Sequence, residues 1–138
     1  MTIQTPALSK SKHLKLRRRA SDNVDYNRER PTFCLRYVDR NYCITGCGTD
    51  DKAAFADKIR RLSQMTWNEI ISAHRHGMGF ETIPRNAIRS RIPSQITEDA
   101  TLIAFRFSGL KPMVGYRAQS MFHIIWFDCS YNLYDHGS

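Results

Sequence analysis

The chain has 138 residues, 41% of them apolar and 25% charged, and a formal net charge of +8 at pH 7. That length fits one domain with a core of its own. No apolar run approaches the roughly 18 residues of a membrane-spanning helix, and the basic N-terminus lacks the apolar stretch of a secretory signal, so a soluble cytoplasmic protein is expected.

Residues 1–30 carry Lys10, Lys12, Lys15, Arg17, Arg18, Arg19, Arg28 and Arg30 against Asp22, Asp25 and Glu29. Apolar residues are few and aperiodic there, which predicts a flexible basic arm ahead of a single domain at 31–138. Such an arm binds RNA or DNA by displacing counterions, binds a partner, or serves as a plain leader. Lys15, Arg17, Arg18 and Arg19 are its candidate nucleic-acid contacts.

Order is expected from "TFCLRYVDRNYCITGC". Alternation of Phe33, Leu35 and Tyr37, then of Tyr42 and Ile44, predicts a hairpin turning at "VDRN". Cys34, Cys43 and Cys47 fall here and Cys129 near the end. Their spacing lacks the second close pair of a structural zinc site, so reduced, buried or half-buried thiols in strands and no metal are expected.

"TDDKAAFADKIRRLSQM" predicts a helix. Thr49 or Asp50 caps it, acids fill its first turn, and Phe55, Ile59 and Leu62 form one apolar face. "TWNEIISAHRHG" predicts a second helix. Thr66 and Glu69 form a capping box, Trp67, Ile70 and Ile71 make the buried stripe, and Gly77 ends it. His74 and His76 are expected in its last turn, facing different sides and supporting its carbonyl end.

"GMGFETIPRNAIRSRIPSQI" reads as a basic loop with a short helix near 86–91. Arg85, Arg89 and Arg91 make it a candidate nucleic-acid segment, with a solvated loop as the alternative. The remainder reads as strands: "ATLIAFRF", "MVGYRA", "MFHIIWFD" and a short final "YNLYDH". "MFHIIWF", apolar on both faces, suits a central strand. The fold class is therefore α+β: strand, two helices, then a C-terminal antiparallel meander.

No glycine-rich phosphate loop, G-x-S-x-G, H-E-x-x-H or C-x-x-C occurs, which argues against most metal- and nucleotide-dependent enzymes, so no cofactor is expected. The polar groups left for chemistry are Glu81, Arg85, Arg89, Arg91, Arg106, Arg117, His123, Tyr131, Tyr134 and His136. Metal-free RNA cleavage needs few parts: a base for the 2′-hydroxyl, an acid for the 5′-oxygen and cations for the phosphorane. Aromatic rings stack on unpaired bases.

The succession of two helices and a meander, with "GFETIP", "VGYRAQSMFHIIWFD" and "YNLYDHGS", resembles the RelE/ParE toxin superfamily, nearest its YoeB-like ribosome-dependent mRNA interferases. "FHIIWFD" followed by "LYDH" is also similar to small uncharacterised phage and defence-locus proteins. The first resemblance implies a metal-independent endoribonuclease of a toxin–antitoxin system, acting on the ribosome and restrained by an acidic antitoxin. It further implies Glu81 as base, Arg117 on the phosphate, and His136 or Tyr134 as acid or stacking group.

Other readings of the same residues stand beside it. His123 lies in an apolar strand and reads as a core histidine, Arg117 could pair with Asp128 across a hairpin, and the tail could be a closing hairpin only. The alternatives in function are a non-enzymatic nucleic-acid-binding or inhibitor protein of a mobile element, and an interaction subunit of a defence complex.

Overall fold

A computed structural model describes residues 24–136. The four arm candidates Lys15, Arg17, Arg18 and Arg19 lie outside the described residues. Residues 24–30 are ordered: the Asp25 side chain caps a 3₁₀ turn at Tyr26–Arg28, and the Glu29 carbonyl accepts the Trp67 N–H at 2.9 Å.

Five strands form one mixed sheet: β1 (Thr32–Cys34), β2 (Phe80–Ile83), β3 (Leu102–Ser108), β4 (Lys111–Ala118) and β5 (Met121–Phe127). Their spatial order is β1-β5-β4-β3-β2. The three C-terminal strands make the expected antiparallel meander, and β2 adds to its outer edge antiparallel to β3. β1 pairs in parallel with β5, Phe33 opposite Phe122.

The expected hairpin across 33–47 is replaced by β1 and two 3₁₀ turns, Arg40–Tyr42 and Ile44–Gly46. Asp39 decides this locally. Its carboxylate accepts the Asn41 N–H at 2.8 Å, a side-chain bond that competes with a strand ladder. The apolar strand β5 meanwhile offers β1 a full ladder partner. "YNLYDH" is not a strand but an irregular tail, because its backbone N–H groups at Asn132 and Leu133 bond to the Asp128 carboxylate at 2.9 and 3.1 Å.

Helix α1 spans Thr49–Leu62 and starts one residue earlier than expected, with Gly48 at the cap and its N–H bonded to Asp51 at 3.2 Å. Leu62 is buried, and Phe55 and Ile59 pack against the same core. Helix α2 spans Trp67–Ser72 behind the expected capping box: Thr66 N–H donates to Glu69 Oε1 at 3.0 Å, and Thr66 Oγ1 accepts the Glu69 N–H at 3.2 Å. Trp67 and Ile70 are buried, whereas Ile71 is exposed.

α2 stops before the histidines, so they do not occupy its last turn. The Ala73 backbone is extended, and Gly79 folds so tightly over residue 73 that a Cβ there would lie 2.3 Å from the Ala73 carbonyl oxygen. His74 and His76 stack on each other, centroids 4.8 Å apart, instead of facing different sides.

Both sheet faces are covered. The helices pack on one face over Phe105, Phe107, Met113, Phe122 and Phe127. Residues of the 83–100 segment and the tail pack on the other, over Ala104, Val114 and Trp126. Within the 83–100 segment the expected short helix is reduced to a 3₁₀ turn at Arg85–Ala87.

Cys47 and Cys129 form a disulfide, Cα atoms 5.9 Å apart across a separation of 82 residues, so these two cysteines are not the thiols expected. The bond ties the entry of α1 to the exit of β5. Cys34 and Cys43 are free thiols. Among the described residues Cys47, Cys129 and Asp51 cluster with their donor atoms within 4.8 Å. The two sulfurs are bonded to each other, and Asp51 accepts from Ser108 at 2.7 Å and Lys111 at 3.0 Å, which hold its carboxyl below the usual range. No helix among the described residues is long and apolar enough to cross a membrane.

Candidate active site

β2 and β3 set the first part of the site. Glu81 pairs with Ala104, which faces the tail side of the sheet. Residues two apart on a strand share a face, so Arg106 lies on that side too, diagonally from Glu81. β2 begins at Phe80 opposite Phe105, so beyond that pair the edge of β3 carries no strand partner on this side among the described residues.

The tail supplies the rest. Asp128 follows β5 and has no exposed surface. Besides the two backbone N–H groups, it contacts His136 Nε2 at 2.7 Å from Oδ2. The chain makes this turn with Tyr131 at φ 58°, a left-handed conformation that a bulky residue adopts only when its surroundings impose it. Tyr134 stacks on His136 with centroids 4.1 Å apart, and Tyr131 meets the same imidazole edge-on at 5.4 Å.

These elements enclose a cavity of about 200 Å³ lined by Glu81, Arg106, Leu110, Tyr131, Tyr134 and His136. Arg75 Nη1 lies 3.2 Å from Glu81 Oε2 and adds a second cation. Arg106 also contacts His76 Nδ1. Burial, reinforced by the positive charge of Arg106, depresses the His76 pKa and keeps that ring neutral. Tyr134 is pushed well above the usual phenol range by burial, then by the Glu81 and Asp128 charges, so its hydroxyl stays protonated and able to donate.

Three of the four candidate catalytic residues, Glu81, Tyr134 and His136, therefore share one cavity. Arg117 does not. It pairs with Phe122, six positions before Asp128 on β5, or about 20 Å along a strand. Its guanidinium lies over the Trp67 ring, 4.2 Å from the centroid, and Nε donates to the Gln119 carbonyl at 2.6 Å. The alternative in which Arg117 pairs with Asp128 is not realised among the described residues, for the same reason. A bulge between Val114 and Gly115 belongs to this geometry: Gly115 sits so close to the His123 carbonyl that a Cβ would lie 1.8 Å from its oxygen.

Arg85 is engaged elsewhere, its two terminal nitrogens donating to the Thr97 and Ile96 carbonyls at 2.8 Å each. Arg89 and Arg91 are exposed and line a separate cavity of about 550 Å³ with Asp39, Tyr42 and Asn132. His123 packs between rings, stacked on Tyr116 at 4.8 Å, and its Nδ1 is buried without a hydrogen-bond partner among the described residues.

Sequence reasoning missed Asp128 as the anchor of His136. The signal was an acid at the end of the most apolar strand, eight residues before a terminal histidine. It named Arg106 among the polar groups but did not place it beside Glu81, a position that follows from strand alternation once β2 is recognised. No protein-family model, curated protein or solved structure matches this chain.

Proposed function

We propose that this protein is a metal-independent endoribonuclease with Glu81, Arg106, Tyr134 and His136 as its working residues. The observation that carries the reading is a histidine held by a buried carboxylate, facing a glutamate and an arginine around one cavity. Glu81 takes the proton of the RNA 2′-hydroxyl, and the 2′-oxygen attacks phosphorus. Arg106 offsets the charge gathering on the phosphorane oxygens, taking the role first assigned to Arg117. His136, steadied by Asp128, gives a proton to the departing 5′-oxygen. The products are a 2′,3′-cyclic phosphate and a 5′-hydroxyl. Tyr131, exposed at the cavity rim, offers a face for a base to stack.

On this reading the ribosome presents the substrate, an acidic antitoxin masks the basic surface, and the site of action is the cytoplasm. The Cys47–Cys129 bond bears on that last point, since disulfides persist where oxidants outrun cellular thiols. Its redox state in expressing cells, read by thiol alkylation and mass, tests the compartment directly.

The test of function is incubation of defined RNA with the protein in EDTA, with and without ribosomes. Cyclic-phosphate products that fall at least about 100-fold for Glu81→Gln and His136→Gln, with folding retained, are the expected result. RNA binding by the wild type with no cleavage under either condition would replace the enzyme with a non-enzymatic nucleic-acid-binding module. That second reading has its own support in exposed Arg89 and Arg91 beside Tyr42.

A further inference from the structure

Next to the proposed active site lies a second cavity, of about 350 Å³, whose lining includes Lys58, Arg61, His76, Met78 and Arg106. α1 brings two of these together. Lys58 and Arg61 are three residues apart on one helical face, and Ala54, one turn before Lys58, leaves room beside them. The open edge of β3 brings Arg106, and the turn after α2 brings His76.

Lys58 is the unusual member. Only 8% of its surface is exposed. Its ammonium donates to the Gly77 carbonyl at 2.8 Å and approaches the Met78 sulfur at 3.8 Å. An ammonium has three N–H donors, and a thioether is a weak acceptor, so donor capacity remains. No carboxylate lies within ion-pair distance of it among the described residues. Asp57, at the rim, is spent on Arg61 at 3.6 Å in an exposed pair that contributes little. A buried cation without a counter-charge is costly to the fold unless an anion completes it. The lowering of the Lys58 pKa by burial, with Arg61 adding to it, expresses that cost.

Arg106 lines this cavity and the catalytic one. A ligand spanning both must carry anionic groups in series. Single-stranded nucleic acid has one per nucleotide. We propose that the Lys58–Arg61–Arg106 cavity is a phosphate subsite that receives the phosphate next to the scissile one, so that the enzyme grips its substrate by two consecutive phosphates. This rests on the ribonuclease reading for its place in catalysis, but the binding stands apart from cleavage.

The test separates the two. A short single-stranded DNA oligonucleotide lacks the 2′-hydroxyl and cannot be cleaved by this route, so its binding in EDTA reads the subsite alone. Lys58→Met should weaken binding about tenfold and Arg61→Gln about threefold, each with a salt slope smaller by about one. Arg36→Gln, exposed and lining neither cavity, is the control. Lys58→Met must also melt cooperatively, and Arg61→Gln, on the surface, carries the test if it does not. Unchanged affinity and salt slope for Arg61→Gln would overturn the subsite. Inorganic phosphate binding as tightly as the oligonucleotide would make it a free-anion site and overturn the polynucleotide assignment. Absence of RNA cleavage with these binding effects intact would remove the enzyme and leave the subsite.

Discussion

His136 Nε2 lies 2.7 Å from a carboxylate oxygen of Asp128, an acid with no exposed surface that also accepts the N–H groups of Asn132 and Leu133. One side chain thus folds the tail and aims its histidine. Asp128→Asn keeps the shape but replaces the carboxylate that anchors His136 with a neutral amide. We expect cleavage to fall by roughly 10²–10⁴-fold with binding of uncleavable DNA little changed. Asp128→Ala should also destabilise the fold by about 3–5 kcal/mol, read by urea unfolding. Equal activity of Asp128→Asn and wild type would remove the dyad from the mechanism.

The capping box and the tryptophan behind it separate local from tertiary stability. Thr66→Ala should cost about 1 kcal/mol through the lost cap. Trp67→Ala should cost roughly 3–5 kcal/mol, since the ring is fully buried and its Nε1 donates to the Ser120 carbonyl at 2.9 Å. Denaturant midpoints of the two variants measure both.

The disulfide closes a separation of 82 residues. Removing it with the double variant Cys47→Ser/Cys129→Ser should cost about 2–4 kcal/mol, mostly by freeing the unfolded chain. The wild type should melt lower in reductant, and the double variant should be indifferent to it.

His123 gives a pH dependence of definite sign. Burial lowers its pKa, so the folded state binds fewer protons than the unfolded state. Stability therefore rises with pH from the folded pKa up to the unfolded value of about 6.5, and is lost on acidification through that window. His123→Phe, keeping the stack on Tyr116, should flatten the melting temperature between about pH 5 and 7. His76, shifted in the same direction, adds to the slope, and His76→Gln measures its share.

Gly115→Ala forces a Cβ against the backbone carbonyl of His123 at the β4–β5 bulge. We expect a loss of about 1–3 kcal/mol or more, or failure to fold. A variant as stable as the wild type would mean that the bulge relaxes freely.

Much of the fold was legible because its signals are local. Thr66 and Glu69 announce a helix start within four residues, and the alternation of "LIAFRF" with short turns announces a meander. What stayed hidden depends on partners far away in sequence. β2 is four residues between a glycine and a proline, too short to show a period. The parallel pairing of Phe33 with Phe122 and the joining of Cys47 to Cys129 have no local signature at all. In the site, Glu81, Tyr134 and His136 stood among ten polar groups suited to chemistry and were singled out by the resemblance. Arg117 could not be excluded, since its face depends on strand register around a bulge, which residue identity does not reveal.

The parallel edge strand has a consequence for biosynthesis. β1 docks on Met121–His123 and its Thr32 N–H donates to the Ser120 carbonyl at 3.1 Å, so nothing receives it until β5 has left the ribosome. During translation the N-terminal segment waits unpaired, and when β5 emerges its outer edge is briefly an open ladder. Pairings of such long range form late and slowly, and an apolar edge left open invites a second copy of the chain. High-level synthesis should therefore be limited by association of nascent chains at β5, and substitutions that weaken β1 should lower soluble yield more than they lower the stability of the finished protein.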